Sequence, residues 1–369
     1  MRYRFVAFIA TFQSVVILAH LFLYETWNFL WRAPDPPGIS PLQVVVGGLS
    51  VSFLAASFLA FRYFNWVVRL IYTIAAVWLG IANFAFLAAC LCWVIYGLLW
   101  ISGARMDGRL LAELVFGGAF GLSAASIINA NWTRVRRISV KLPNLPELWR
   151  GRVAALVSDL HLGHVKNLGF VRRIVRLITR LRPDVVFIAG DLYDGTAVDI
   201  WRLAEPLGAL SAPLGSFFVA GNHEEFRDHT HYLQAVSRSG VRVLNNEKVT
   251  IDGLQIVGVH YSDATDAQHF RKVLRSTGVD RKEPSVLLTH APDRLRVSEE
   301  EGISLQLSGH THRGQFFPFT WLTKRIYGQY VYGLKRLGKM LVYVSAGAGT
   351  WGPPLRLGSS PEIVLIQFE

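Results

Sequence analysis

Four long apolar stretches fill the first third of the chain and limit it to helices that can cross a membrane. They span residues 5–24, 42–61, 70–100 and 110–130. A hydrocarbon core about 30 Å thick requires about 20 apolar residues in a helix, and each stretch reaches that length. The third stretch is longer than the core requires, so we expect a single helix that tilts or extends beyond it. Residues 1–131 are therefore predicted to be a transmembrane anchor with four spans.

The rest of the chain has the composition of a folded domain outside the bilayer. Residues 1–131 contain no lysine and seven arginines, whereas the remainder carries the other 31 of the 38 basic residues. We predict a linker and first strand over residues 132–150 and the domain over residues 151–369. Its basic residues are scattered and accompany no recognition motif, so nucleic acid is not an expected partner. Membrane lipids are the expected partner, because anionic headgroups attract a basic domain beside a bilayer.

The basic residues around the spans predict the orientation of the chain. They concentrate before the first span, between the second and third, and after the fourth: Arg2, Arg4, Arg62, Arg69, Arg134, Arg136, Arg137 and Lys141. The other two loops hold Arg32 with Asp35, and Arg105 and Arg109 with Asp107. Cytoplasmic loops carry an excess of lysine and arginine. We therefore expect both termini, and the domain with them, in the cytoplasm.

Short apolar runs alternate with amphipathic stretches after residue 150. The runs cover residues 153–157, 185–189, 217–220, 254–259, 286–289, 303–307 and 341–344. Their length and composition are typical of buried strands. Between the first two runs, Asn167 precedes a helical pattern that ends before Pro183. This alternation of strand and helix predicts an α/β fold.

Five of these runs are followed by residues that can bind a metal ion. The residues are Asp159 and His161, Asp191, Asn222 and His223, His290, and His310 and His312. In open α/β sheets, ligands bind beyond the carboxyl ends of the strands, so one edge would collect all of these side chains. Taken alone, an Asp-x-His or Gly-Asn-His segment is usually a turn or a surface pair. The repetition of such segments after five strands indicates a site.

The residue types fit two adjacent cations. Imidazole together with carboxylate suits zinc, iron or manganese. Two cations about 3.5–4 Å apart need a shared anionic ligand, and Asp191 is placed to supply it at the end of a central strand. Asp159 and His161 lie two residues apart, so both can reach one ion. His310 and His312 share that spacing and could serve one ion each.

These motifs resemble those of the calcineurin-like metallophosphoesterase superfamily. The resemblance rests on 158–163 (SDLHLG), 190–191 (GD), 221–224 (GNHE), His290 and 309–312 (GHTH). It covers about residues 135–369 and, with the tail segment 353–356 (PPLR), is nearer to a bacterial transmembrane branch. That branch includes phosphodiesterase-like proteins and a diphosphatase that acts on a nucleotide-linked lipid. The resemblance implies a two-sheet β-sandwich flanked by helices, following the four-helix transmembrane region.

The resemblance also implies a role for each site residue. Two divalent ions (manganese, iron or zinc) would be held by Asp159, His161 and His312 and by Asn222, His290 and His310. Asp191 would bridge the ions, and a hydroxide between them would attack phosphorus. His223 would contact the phosphate and protonate the leaving oxygen. The implied protein is a multi-pass phosphodiesterase or phosphatase of a bacterial inner membrane.

Residues 314–340, here called the aromatic arm, carry the sequence evidence on the substrate. The arm mixes aromatic and basic residues directly after His312. One interpretation is a membrane-facing arm that admits a phosphorylated, lipid-linked substrate, such as a nucleotide-linked lipid of the UDP-diacylglucosamine type. The other is an insertion packed on the domain. A catalytically inactive scaffold, or a sensor or transporter that uses the spans, also remains open, and no oligomeric state is predicted.

Overall fold

The computed structural model describes residues 2–31, 38–226 and 229–369. Arg32 and Asp35, which contributed to the predicted orientation, lie outside the described residues, and so do the side chains of Arg2 and Arg4. The chain divides into two compact units. The first comprises residues 1–128 and 352–355, and the second comprises residues 129–351 and 356–369.

The first unit confirms the prediction of four apolar helices. They are α1 (Arg2–Trp31), α2 (Pro41–Arg62), α3 (Trp66–Ser102) and α4 (Gly108–Asn131). By length and composition each can cross a membrane. Helix α3 has 37 residues, which at 1.5 Å per residue makes it about 55 Å long, so it extends well beyond a hydrocarbon core.

Polar side chains inside the first unit find partners on neighbouring helices. Trp78 Nε1 donates to His20 Nε2 at 3.0 Å, and Trp93 Nε1 donates to Thr26 Oγ1 at 2.9 Å. Both bonds join α1 to α3. Such pairing is needed within a bilayer because no water is available there to satisfy a polar group.

The second unit contains two six-stranded sheets and several helices. Its strands are β1 (Arg134–Val140), β2 (Val153–Val157), β3 (Val185–Ala189), β4 (Ser216–Val219), β5 (Arg242–Val243), β6 (Glu247–Ile251), β7 (Leu254–Gly258), β8 (Ser285–Leu288), β9 (Leu305–Ser308), β10 (Gly333–Leu337), β11 (Met340–Val344) and β12 (Glu362–Phe368). Its helices are α5 (Leu168–Leu181), α6 (Ile200–Ala204), α7 (His229–Arg238), α8 (Tyr261–Ala264), α9 (Ala267–Ser276), α10 (Leu295–Glu300) and α11 (Phe319–Tyr327).

Both sheets are mixed, with a parallel centre. The first has the order β1-β12-β2-β3-β4-β5 and the second β10-β11-β9-β8-β7-β6. Strands β2, β3 and β4 run parallel in the first sheet, and β7, β8 and β9 run parallel in the second. The carboxyl ends of each parallel set therefore lie at one edge of its sheet, where the chain turns into the predicted site residues.

Side-chain alternation along the strands builds the sandwich. Leu156 of β2 packs in one buried cluster with Ile256 of β7 and Leu288 of β8, which places that cluster between the sheets. Its neighbour Val157 packs in a second cluster with Ile174 of α5, on the outer face. Because successive residues of a strand point to opposite faces, each strand of this kind serves both layers. The predicted two-sheet α/β sandwich flanked by helices is confirmed.

Strand boundaries differ from the predicted ones at one place by more than a residue. The run predicted at residues 303–307 begins its strand only at Leu305. The Ile303 N–H instead donates to the Ser298 carbonyl at 3.0 Å and closes the turn after α10. Ile303 is nevertheless buried. Its apolar side chain extended the predicted strand beyond the residues that form ladder hydrogen bonds.

Candidate metal centre

The fold brings the predicted site residues together. Three groups have donor atoms within 4.8 Å of one another: Asp159 with His161 and His312, Asp191 with His290 and His310, and His161 with Asp191 and His223. Asn222 joins the second group, because its Oδ1 lies 3.0 Å from His310 Nδ1. We call the first two groups, with Asn222 in the second, half-site one and half-site two.

The backbone at these positions is strained. Asp159, His161, Asp191, His310 and His312 all have left-handed backbone conformations, with φ between +47° and +70°. For a residue other than glycine, a left-handed backbone conformation costs about 1–3 kcal/mol, so it persists only where the surrounding structure enforces it. Strain concentrated on five of the predicted ligands is typical of a functional site, and the sequence did not reveal it.

Half-site one brings two ring nitrogens and a carboxylate oxygen close together. His161 Nε2 and His312 Nε2 are 2.9 Å apart, and His312 Nε2 lies 3.5 Å from Asp159 Oδ1. The His310 N–H donates to Asp159 Oδ1 at 3.0 Å and orients the carboxylate. A side chain on Gly309 would overlap the Asp159 carboxylate, so only glycine allows this approach.

Half-site two is held by both sheets. His290, which follows β8, donates from Nδ1 to the carbonyl of Ala189 in β3 at 2.8 Å. That bond leaves Nε2 directed at Asp191, whose Oδ2 is 3.1 Å away. A histidine ligand usually donates its second ring N–H to a carbonyl or carboxylate in this way, because the bond fixes the ring and raises its basicity.

Burial sets the protonation of the rings. It lowers the pKa of His161 and His312 well below the usual range and that of His310 to about 3. Burial also opposes a charge on His290, but the Asp191 carboxylate outweighs it and raises that pKa to about 10. Three rings are therefore neutral near pH 7, which is the form that binds metal.

The two carboxyl groups differ in their pKa values. Burial, together with the charge of Asp191, raises the pKa of Asp159 to about 6. Burial acts on Asp191 in the same direction, but the charge of His290 outweighs it and holds the pKa of Asp191 well below its usual range. Asp191 is thus the permanent anion of the centre and belongs to two of the three donor groups, which fits the place of a shared ligand.

His223 lies between the half-sites and the protein surface. Its Nδ1 donates to the Asp194 carbonyl at 2.9 Å, and its Nε2 lies 3.9 Å from Asp191 Oδ2. The bond through Nδ1 leaves Nε2 as the ring nitrogen nearer to Asp191. Because the ring also belongs to a group with His161 and Asp191, its predicted role as a proton donor and not a ligand stays a prediction.

Two buried charged residues support the centre and were given no role from sequence. Glu224 accepts from the backbone N–H groups of Asp191 at 3.0 Å, Tyr193 at 3.1 Å and Gly221 at 2.7 Å, and so ties two of the metal-binding turns together. Burial first, and then Asp191, raises its pKa to about 7. The signal was present in the sequence, since Glu224 ends the GNHE segment.

Arg356 is the second supporting residue. Its guanidinium is fully buried and donates to the His312 Nδ1 at 3.2 Å and to the Gly349 carbonyl. The Gly349 N–H in turn donates to the Asp159 carbonyl at 2.8 Å. Arg356 therefore holds the backbone behind two members of half-site one.

Two further histidines, His164 and His260, are buried near the metal-binding turns. His164 is fully buried in the loop after the first motif. His260 accepts from the Ala220 N–H through Nδ1 at 3.0 Å, immediately before the Gly221 turn. This bond makes His260 a support for the turn that carries Asn222.

The donor set fits divalent metal ions. Buried carboxylates, neutral imidazoles and an amide oxygen converge, and Asp191 is shared by two of the groups. Such a set suits manganese, iron or zinc better than magnesium, which prefers oxygen alone. Asp159, His161 and His312 would hold one ion, Asn222, His290 and His310 a second, and Asp191 both.

Comparison with known proteins agrees with this site. Residues 153–314 match the calcineurin-like phosphoesterase family. A transmembrane protein with a metallophosphoesterase domain from Danio rerio is 30% identical, with 98% of this chain and 89% of that protein aligned. An uncharacterized metallophosphoesterase from Aquifex aeolicus is 34% identical over 67% of this chain and 96% of its own length. The chain therefore belongs to the calcineurin-like metallophosphoesterase family.

Within that family the chain is similar to members that carry transmembrane helices. An uncharacterized metallophosphoesterase from Helicobacter pylori is 36% identical, but only 58% of its length is spanned. Relatives come from animals as well as bacteria, so the predicted placement in a bacterial branch is not confirmed. Four apolar helices and the transmembrane relatives support membrane attachment.

Proposed function

We propose that this chain is a membrane-bound phosphoester hydrolase that uses two divalent metal ions and acts on an amphiphilic, lipid-linked phosphoester or phosphoanhydride. The observation that carries the two-metal proposal is the sharing of Asp191. Its carboxylate is buried, and its Oδ2 lies 3.1 Å from His290 Nε2, 3.8 Å from His161 Nε2 and 3.9 Å from His223 Nε2. One anion between two donor groups is the arrangement that two closely spaced cations require.

In this proposal the metal ions, Asp191 and His223 would have separate roles. When bound, the ions would supply an activated water and offset the charge that develops on the phosphoryl oxygens. Asp191 would hold both half-sites at a fixed separation. His223 would donate a proton from Nε2 to the leaving oxygen, and the Asp194 carbonyl bonded to Nδ1 would keep the ring oriented for that transfer.

The aromatic arm supports an amphiphilic substrate. Its helix α11 has no buried residue, although it carries large apolar side chains. Exposed on or beside it are Phe317, Phe319, Trp321, Leu322 and Ile326. Basic Lys324 and Arg325 lie on the same helix, a mixture typical of a segment that rests at the headgroup level of a bilayer. Tyr327 at its end lies 6.2 Å from the His310 ring, which connects the arm to the site.

A substrate panel on detergent-purified full-length protein tests this proposal. We expect hydrolysis with added manganese, iron or zinc, loss of hydrolysis on chelation, and the highest kcat/KM on lipid-linked substrates. The panel should span monoesters, water-soluble diesters and lipid-linked pyrophosphates, including a nucleotide-linked lipid of the UDP-diacylglucosamine type. Equal kcat/KM on lipid-linked and water-soluble diesters would remove the lipid-linked part. No hydrolysis with any metal would favour an inactive scaffold or sensor.

The orientation forms part of the same proposal. We expect both termini, and the catalytic domain, in the cytoplasm of a bacterial inner membrane, because basic residues concentrate before the first span, between the second and third spans, and after the fourth. Reporters fused after Glu369 check this directly. An alkaline phosphatase fusion should be inactive and a fluorescent protein fusion bright, and the reverse pattern would place the domain outside.

A further inference from the structure

Two exposed aromatic rings flank the proposed proton donor. The Phe226 ring lies 4.5 Å from the His223 ring, and the Trp351 ring lies 6.2 Å from it, nearly perpendicular. Phe226 is 54% exposed and Trp351 is 58% exposed. Both rings belong to the second unit and lie beside a buried polar centre. Leaving large apolar side chains exposed to water forgoes the free energy that their burial would contribute.

The backbone that carries Trp351 is fixed from both sides. The Trp351 N–H donates to Gln315 Oε1 at 2.8 Å, and Gln315 Nε2 donates to the Trp351 carbonyl at 3.1 Å. Gln315 is itself buried, and its own carbonyl accepts from the Leu357 N–H at 2.9 Å. The exposed indole is therefore attached to a backbone position that hydrogen bonds hold in place.

Phe226 is held in a comparable way. Its N–H donates to the His223 carbonyl at 3.3 Å, so it follows directly from the turn that carries the proton donor. A Cβ on Gly195 would lie 2.7 Å from the Phe226 ring, which shows that the ring covers this glycine closely. Phe226 is thus placed by the turn that carries His223, whereas Trp351 is placed by its two bonds to Gln315.

Exposed rings that are held at fixed positions next to a reactive group can bind an apolar part of a ligand. Burying a large apolar side chain that is otherwise exposed contributes about 1.5–3 kcal/mol, and aromatic partners add an orientation-dependent gain. A proton donor must reach the leaving oxygen, so a group that lies between these rings belongs to the leaving side of the substrate.

We infer that Phe226 and Trp351 form a subsite for an aromatic or extended apolar leaving group, and that this chain is specific for phosphoesters with such a group. The inference rests on the proposed function, because it takes His223 as the residue that faces the leaving oxygen. It adds the chemical class of the group that is released, which neither the metal-binding motifs nor the family determines.

Paired diesters test the subsite. Methyl phenyl phosphate and methyl 1-naphthyl phosphate release phenols of similar acidity but different size. We expect the full-length protein to favour the naphthyl diester in kcat/KM. Trp351→Ala and Phe226→Ala should each lower kcat/KM for the naphthyl diester on the order of 10-fold, with a clearly smaller loss for the phenyl diester. Metal content and melting temperature should stay unchanged.

A matched control is Trp201→Ala. Trp201 is also an exposed tryptophan, but its ring packs under the Arg238 guanidinium at 4.6 Å. It should leave the preference for the naphthyl diester intact. Equal losses on both diesters in Trp351→Ala and Phe226→Ala, or no loss, would overturn the subsite. If the unaltered protein hydrolyses neither diester with any metal, the proposed function fails instead.

Discussion

Asp191→Asn should remove both metal ions and abolish hydrolysis. The carboxylate lies 3.1 Å from His290 Nε2 and 3.8 Å from His161 Nε2, so one side chain contributes to both half-sites. Removal of a group that only supports a ligand typically costs 10–100-fold in metal affinity, and loss of a shared anionic ligand should exceed about 100-fold for each ion. Asparagine keeps an oxygen for the His223 N–H, which Asp191 Oδ1 accepts at 3.0 Å, so the turn should still fold.

Metal analysis of the purified variant and titration with manganese measure this result. Asp252→Asn is the matched control, because Asp252 forms a partly exposed ion pair with Arg152 at 2.7 Å. That control should keep both ions and full activity. An Asp191→Asn protein that binds two ions with unaltered affinity would contradict the proposed bridge, whatever its activity.

His223→Ala should keep the metal ions and lose most turnover. The ring contributes a proton donor close to the centre, and general acid catalysis is worth about 10²–10⁴-fold. The loss in kcat should be large for an alkyl leaving group and small for 4-nitrophenol, because a weakly basic oxygen leaves without a proton. Parallel measurement of kcat on the two leaving groups and of bound metal distinguishes this role from a ligand role.

A control histidine is available on the surface. His269 begins α9 and pairs with Asp263 at 2.7 Å, so His269→Ala should leave both kcat and metal content unchanged. Loss of an ion in His223→Ala would instead make the ring a ligand, as its place in a group with His161 and Asp191 permits. Equal losses on both leaving groups would remove the role of proton donor.

The sequence predicted which residues would converge because each follows a strand. An apolar run followed by Asp, Asn or His is visible in one dimension, and parallel strands carry such residues to a common edge. Glu224 and Arg356 received no role because their partners are backbone groups supplied by distant segments, as when Glu224 accepts from the N–H of Asp191. The GNHE and PPLR segments contain these two residues, but neither segment shows which distant groups they contact.

Strand pairing was also beyond the sequence. β12 lies between β1 and β2, parallel to one and antiparallel to the other, so the end of the chain enters the middle of the first sheet. It was not predicted as a strand. The register that brings residues 362–368 against both partners depends on which chain segments meet after folding, and local propensity does not encode that choice.

The sequence by itself determined the four apolar helices, the α/β pattern of the second unit and the residue types of the metal centre, because these depend on hydrophobic length, on periodicity and on side-chain chemistry within a few positions. Only the tertiary structure decided how the donors are grouped, that Asp191 is common to two of the groups, and that Phe226 and Trp351 stand exposed beside His223. Many of those relations join residues far apart in the chain, such as Asp159 with His312 and His223 with Trp351, and packing of the sheets and loops creates the distances that define them.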